Sequence, residues 1–223
     1  MKKSMKRILV FALLLLNGQL FSQVVDVMQL LDSSAQLLQN IESYSADILV
    51  KVDVDFIRMP DKKAHIEYRS PNHYKVESDG FLILPKMGMK PMLKQLDADK
   101  FHVVFNGEEA IDGANCVIVN LVPKERKSKV ALSTFWIRKS DYRIVRVETF
   151  TKKSGSFLVD LYYKDELPLP SEMHFSFEVS GFNIPVRFIG KSIEMDKAKL
   201  KDDEVNAGKV IVTFSNYNIR FQN

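Results

Sequence analysis

Residues 24–56 read VVDVMQLLDSSAQLLQNIESYSADILVKVDVDF, and the hydrophobic period changes inside this stretch. Val24, Val27, Met28, Leu31, Ala35, Leu38 and Ile41 follow the i, i+3, i+4, i+7 rule, with Asp26, Asp32, Ser33, Gln36 and Gln39 off the stripe. That spacing predicts an amphipathic helix with one buried face. From Tyr44 onward the period is two. Ile48, Val50, Val52, Val54 and Phe56 share one side, while Lys51, Asp53, Asp55 and Arg58 populate or border the other. Such alternation marks a long strand with one wet face, because successive side chains point to opposite sides of a sheet.

The rest of the chain repeats the strand grammar. Pro60-Asp61 is a turn signal, and Ala64, Ile66 and Tyr68 then alternate with Lys63, His65, Glu67 and Arg69. Pro71 interrupts, Tyr74, Val76 and Ser78 resume, and Asp79-Gly80 is a hairpin signal. Further strands are expected over Phe101–Phe105, ending at the Asn106-Gly107 turn, and over Cys116–Val122, Val130–Arg138, Arg143–Thr151, Phe157–Tyr163, Met173–Val179, Ile184–Ile189 and Val210–Phe221. Many short, evenly spaced strands suggest a sandwich or barrel. The expectation is a mainly β (α+β) fold of about 10–11 strands with an N-terminal amphipathic helix. Ser192–Gly208 is charged and reads as helix or loop. Without an internal repeat or linker, residues 23–223 read as one domain.

Charge places a boundary at the front. Lys2, Lys3, Lys6 and Arg7 precede the apolar run Ile8–Leu16, and no acid occurs before Asp26. The formal charge of +4 belongs to those four residues; without them 28 basic side chains face 28 acidic ones. A basic n-region, a short apolar core and a more polar stretch to Gln23 form a secretory signal, expected to be cut after Ser22. The apolar run falls short of the about 20 residues that span a bilayer. The mature chain is thus expected to be exported to the periplasm, without a lipid anchor, since no cysteine lies near the cut. Its neutral balance does not suggest a nucleic-acid partner.

The residues that usually carry chemistry are sparse. The four histidines stand far apart, the nine glycines contain no Gly-x-Gly, and Cys116 is the one cysteine. Metal, dinucleotide and nucleophile-elbow motifs are therefore missing from the sequence, and neither catalysis nor a cofactor is expected. Asp53 and Asp55 share a strand face one pleat apart, where they read either as an acid and base pair or, by the alternation, as a solvated face. What stands out is apolar. Leu84, Met87, Met89, Met92 and Leu93 lie in a Pro- and Gly-containing stretch, Pro85–Gln95, and methionine suits adaptable apolar surfaces. They read either as a cap on the barrel end or as a lid over an apolar cavity. Some strands are apolar on both faces, with Phe135 and Ile137 opposite Leu132 and Trp136. Phe101, Phe105 and Trp136 join the lid residues as expected lipid contacts. The loop Lys124-Glu125-Arg126-Lys127-Ser128-Lys129 reads as a solvated hairpin tip or, through Lys124, Arg126, Lys127 and Lys129, as a contact for anionic headgroups or an acidic partner.

From about Leu30 to Phe221 the chain resembles the LolA/LolB-like outer-membrane lipoprotein-sorting family. The resemblance rests on the helix leading into Ser43-Tyr44-Ser45-Ala46-Asp47, on Glu67-Tyr68-Arg69-Ser70-Pro71-Asn72-His73-Tyr74-Lys75-Val76 and on Ser78-Asp79-Gly80. It continues in Thr134-Phe135-Trp136-Ile137 through Arg143-Ile144-Val145-Arg146-Val147-Glu148, and in Val212-Thr213-Phe214-Ser215-Asn216-Tyr217. It implies an open antiparallel barrel, lined with apolar side chains and closed by a helix or loop lid, which shields lipid acyl chains or lipoproteins or serves as an envelope sensor module. Inner- and outer-membrane transfer proteins are the implied partners, and a monomer the implied state. The family's arginine directly before the proline, which contacts the lid, is Ser70 here, and Arg69 stands one residue earlier. A one-residue offset on a strand reverses a side chain's facing.

Overall fold

The computed structural model describes residues 26–54, 57–58, 60–71, 73–78, 98–153, 155–164, 166–179, 194–195 and 206–222. The chain enters through α1 (Val27–Gln39), whose N-cap Asp26 accepts hydrogen bonds from the backbone N–H groups of Met28 and Gln29 at 3.0 and 3.1 Å. Those two donors have no intrahelical acceptor, so the carboxylate sets where the helix starts. Its buried face is Leu30, Leu31, Ser34 and Ala35, with Val27 and Leu38 packed beside them. Met28, expected on that face, is 46% exposed. Leu30 supplies the apolar contact instead, which turns the stripe by part of a turn. Ile41, placed on the helical stripe by its spacing, is the first residue of the strand that follows.

The strands are β1 (Ile41–Val54), β2 (Ile57–Arg58), β3 (Lys62–Arg69), β4 (His73–Ser78), β5 (Phe101–Ile111), β6 (Ala114–Pro123), β7 (Val130–Arg138), β8 (Ile144–Thr151), β9 (Ser156–Tyr162), β10 (Glu172–Val179), β11 (Glu194–Met195) and β12 (Asn206–Phe221). A short 3-10 turn, Ala98–Lys100, precedes β5. The sheet runs β4-β3-β1-β12-β10-β9-β8-β7-β6-β5, antiparallel throughout, with β2 and β11 paired beyond the end of β1. Among the described residues β4 and β5 pair with one neighbour each, so the barrel is open, as the family resemblance implies.

Two of the sheet's register shifts bear on the positions of the inner-face side chains. Asn106-Gly107 is not the expected hairpin turn. β5 continues through it with a register shift between Phe105 and Glu108, Gly107 taking φ 102°, and the chain reverses at Asp112-Gly113 with φ 49° and 78°. Asn-Gly is suited to positive φ, and a bulge uses that as readily as a turn. A second shift separates Ser45/Asn218 from Asp47/Ser215 in the β1–β12 pair, with Asn216 at φ 53°.

One face of the sheet is the core. Tyr44, Ala46, Ile48 and Val50 of β1, Ile66 and Tyr68 of β3, Val117, Val119 and Leu121 of β6 and Phe135 and Ile137 of β7 are buried there. Val147, Val159, Leu161, Met173, Phe175, Val210, Val212 and Phe214 continue the same surface across the remaining strands. Each set follows the period of two, so the apolar face extends from one edge strand to the other.

Candidate functional site

The apolar inner face is covered by α1 at one end. The helix packs against β1 and β5, and Ser34 Oγ lies 2.7 Å from the carbonyl oxygen of Tyr142 and 3.0 Å from that of Leu30, each an acceptor for its hydroxyl. Tyr142 belongs to the β7–β8 turn, which is tied to the β5–β6 hairpin by Lys139 N donating to Asn115 O at 3.0 Å. The opposite end of β5 carries Phe101, Val103 and Phe105, paired with Pro123, Leu121 and Val119. Leu121 and Val119 are fully buried, Phe101 and Val103 are half-buried, and Phe105 is 48% exposed. Phe101 and Phe105 therefore lie together on the inner face, at an edge that leaves Phe105 largely uncovered.

Sequence reasoning did not single out the tyrosines of this face. Tyr44, Tyr68 and Tyr74 are directly paired across β1, β3 and β4, with ring centroids 5.2 and 4.7 Å apart. The Asn216 bulge lets Phe214 and Tyr217 both face inward, where Tyr217 stacks on Phe214 at 5.9 Å and meets Tyr44 edge-on at 6.0 Å. Tyr217 Oη donates to Pro170 O and Tyr163 Oη to Ile144 O, both at 2.8 Å. Burial, reinforced by the neighbouring phenols, pushes Tyr44, Tyr74 and Tyr217 far above the ordinary tyrosine value of 10.0. Their common inward parity was a legible signal within each strand, but the register that stacks them is not local information.

Trp136, expected among the lipid contacts, lies on the other side of the sheet. Its neighbours Phe135 and Ile137 are fully buried, and alternation turns the indole to the outer face, where Nε1 donates to Glu109 Oε2 at 2.7 Å. There Trp136, Arg146, Asp160 and His174 form one cross-strand row. Arg146 Nε donates to Asp160 Oδ1 at 2.6 Å, and its guanidinium sits 5.9 Å from the indole centroid. The second apolar face expected of this strand is in part a polar ladder.

Arg69 also faces outward, opposite Ser43 and His73, because Tyr68 beside it is buried in the core. It lines an open groove of about 960 Å³ with Glu67, Lys75 and Arg220. A second outer groove of about 710 Å³ holds Asp47, His65, Glu77 and Asn216. Asp47 accepts from Asn216 Nδ2 and bonds His65 Nδ1, both at 2.8 Å, and these partners hold its carboxyl below the ordinary value of 3.8. Asp47 and His65 are half exposed to solvent, at 52% and 41%. Water therefore screens the pair. Among the described residues no group of three metal-ligating side chains converges. Cys116 is buried, and burial raises its thiol pKa, the opposite of an activated nucleophile.

Lys124, Arg126, Lys127 and Lys129 are exposed in the β6–β7 loop. Leu84, Met87, Met89, Met92 and Leu93 lie outside the described residues, as do the expected secretory signal, Asp55 and the expected strand at 184–189.

An open antiparallel half-barrel with, among the described residues, one covering helix is the class of fold that these elements define, and solved structures share it. A DUF1329 family protein from Desulfovibrio piger superposes with a TM-score of 0.54 at 11% identity, covering 86% of this chain and 92% of its own. A LolA superfamily protein from Nitrosomonas europaea superposes with a TM-score of 0.54 at 9% identity, covering 90% of this chain and 96% of its own. The chain thus has a LolA-like fold, and at these identities the likeness is one of fold. No family model and no curated protein sequence matches the chain.

Proposed function

We propose that this protein is an exported, periplasmic, non-catalytic carrier that binds lipid acyl chains or lipoproteins on its apolar inner face for transfer toward the outer membrane. The observation that carries the reading is that face itself. It is apolar from β1 to β6, closed by α1 at one end, and ends in the half-covered Phe101, Val103 and Phe105 of the edge strand. Burying an acyl chain returns about 0.8 kcal/mol per CH₂. An open face holds such a chain and still releases it, which a sealed core does not. Leu84, Met87, Met89, Met92 and Leu93 belong to the proposal as further acyl contacts, on the strength of their sequence. The LolA-like fold supports the reading.

Native mass spectrometry of the protein purified from the cell envelope without harsh detergent tests it. The expected result is a population carrying one lipid or lipoprotein mass. Protein that is lipid-free and fails to bind a fluorescent fatty acid would refute it. An envelope sensor is the second reading, favoured by edge strands β4 and β5, which among the described residues each pair on one side. A stoichiometric protein partner recovered without lipid would select it.

A further inference from the structure

The end of the sheet away from α1 collects positive charge from two connections. The β6–β7 loop contributes Lys124, Arg126, Lys127 and Lys129, and the β8–β9 turn contributes Lys152 and Lys153, all exposed. Hydrogen bonds hold these segments side by side. Lys152 N donates to Lys129 O and Lys152 Nζ to Arg126 O, both at 2.9 Å. Lys124 N donates to Lys100 O at 3.0 Å, and Lys124 Nζ to Asp99 O at 2.9 Å. Among the described residues none of these six cations has a carboxylate within salt-bridge distance. Glu125 is the one carboxylate of the β6–β7 loop, so the rim keeps a net positive charge.

Immediately inside this collar the outer face turns apolar. Val122 is 38% exposed and Phe150 40% exposed, and Phe150 pairs directly with half-buried Leu132. Leu121 pairs with Ser133, so Val122 and Leu132, one residue further out, face each other. A solvated sheet face ordinarily presents polar side chains. Nearer α1 this face does so, in the row of Trp136, Arg146, Asp160 and His174. Val122, Leu132 and Phe150 thus form an apolar patch directly against the basic rim.

We propose that this rim docks on an anionic lipid bilayer, with the six cations at the headgroup phosphates and Val122, Leu132 and Phe150 seated in the interface. Charge complementarity selects the occupant. Long basic side chains around a small apolar patch are the arrangement of interfacial binding, because lysine stems lie along apolar surface while their ammonium groups stay at the headgroups. The docking deepens the carrier reading and rests on it for its purpose. The same end of β5 carries Phe101 and Phe105 on the inner face, so docking would bring the membrane to the uncovered edge.

Flotation with vesicles of phosphatidylcholine alone, or mixed with phosphatidylglycerol, tests the proposal. Binding is expected to the mixed vesicles only and to fall as salt shortens the screening length. Combined Lys124→Ala, Arg126→Ala, Lys127→Ala and Lys129→Ala should lower partitioning at least tenfold at low salt. Phe150→Ser should lower it several-fold without altering its salt dependence. Both variants should keep the parent's circular dichroism and its fluorescent fatty-acid affinity. Equal binding to neutral and mixed vesicles, or unchanged partitioning of the charge variant, would overturn the docking. So would binding to an acidic polyglutamate peptide without binding to vesicles, which would assign the rim to an acidic protein. Vesicle binding without fatty-acid binding would refute the carrier reading while the docking stood.

Discussion

Asn216 and Asp47 meet across the β1–β12 pair, the Asn216 amide donating to the Asp47 carboxylate at 2.8 Å from a backbone held at φ 53°. This residue makes the register shift that turns both Phe214 and Tyr217 inward. The left-handed conformation costs about 1–2 kcal/mol for an ordinary L-residue and less for asparagine. Asn216→Ala should therefore lower stability by about 1 kcal/mol, while Asn216→Gly, free to adopt positive φ, should cost less. Urea unfolding midpoints check the order, and equal losses would show that conformation is not the cause.

Asp47 predicts an acid response. Its folded pKa is depressed, first by Asn216 and then by His65. The stabilisation is thus present above the ordinary value of 3.8 and is lost as pH falls through the lower folded value. Asn216→Ala should move acid unfolding to higher pH, read by circular dichroism.

The tyrosine stack predicts an alkaline one. Tyr44, Tyr74 and Tyr217 have folded pKa values raised by burial, so their contribution is intact below 10.0 and is lost as pH rises toward the folded values. Tyrosinate absorbance for these rings should appear together with loss of β-sheet signal. Full ionisation of all tyrosines in a still folded protein would contradict the burial.

Phe135 and Phe105 share the inner face but differ in cover, at 0% and 48% exposure. Phe135→Ala should cost about 3–5 kcal/mol, the loss typical of a buried aromatic. Phe105→Ala should change stability by about 0.5 kcal/mol or less yet weaken fluorescent fatty-acid binding several-fold. Melting curves and a binding titration on the same two variants read both quantities.

Ser34 is 2% exposed and its hydroxyl reaches the Tyr142 carbonyl. Ser34→Ala leaves that acceptor short of its partner across the helix–turn contact, at a cost of about 1–2 kcal/mol. The loss should appear as faster amide exchange in α1 and the β7–β8 turn, with the sheet strands unchanged.

Local spacing was enough for several features of this protein. The change of period between Ile41 and Tyr44, the alternation in β1 and the spacing of turns predict an N-terminal helix followed by a sandwich or barrel of many strands, because side-chain facing within an element depends only on its own backbone repeat; that the barrel is open came from the family resemblance. The same alternation already separated Phe135 and Ile137 from Trp136. It did not say which of these faces was the interior, and Trp136 went with the polar ladder because Glu109, Arg146 and Asp160 were brought beside it from three other strands. Asn106-Gly107 announced positive φ, but whether that became a turn or a bulge depended on how far β6 pairs along β5. The closing pair of β1 with β12, which sets Lys51 opposite Ile211, joins segments far apart in the chain. The tyrosine stack, the uncovered edge at Phe105 and the basic rim all follow from such pairings. Their register is set by burial summed over the whole sheet and by one bulge at Asn216, and no short stretch of sequence contains that sum.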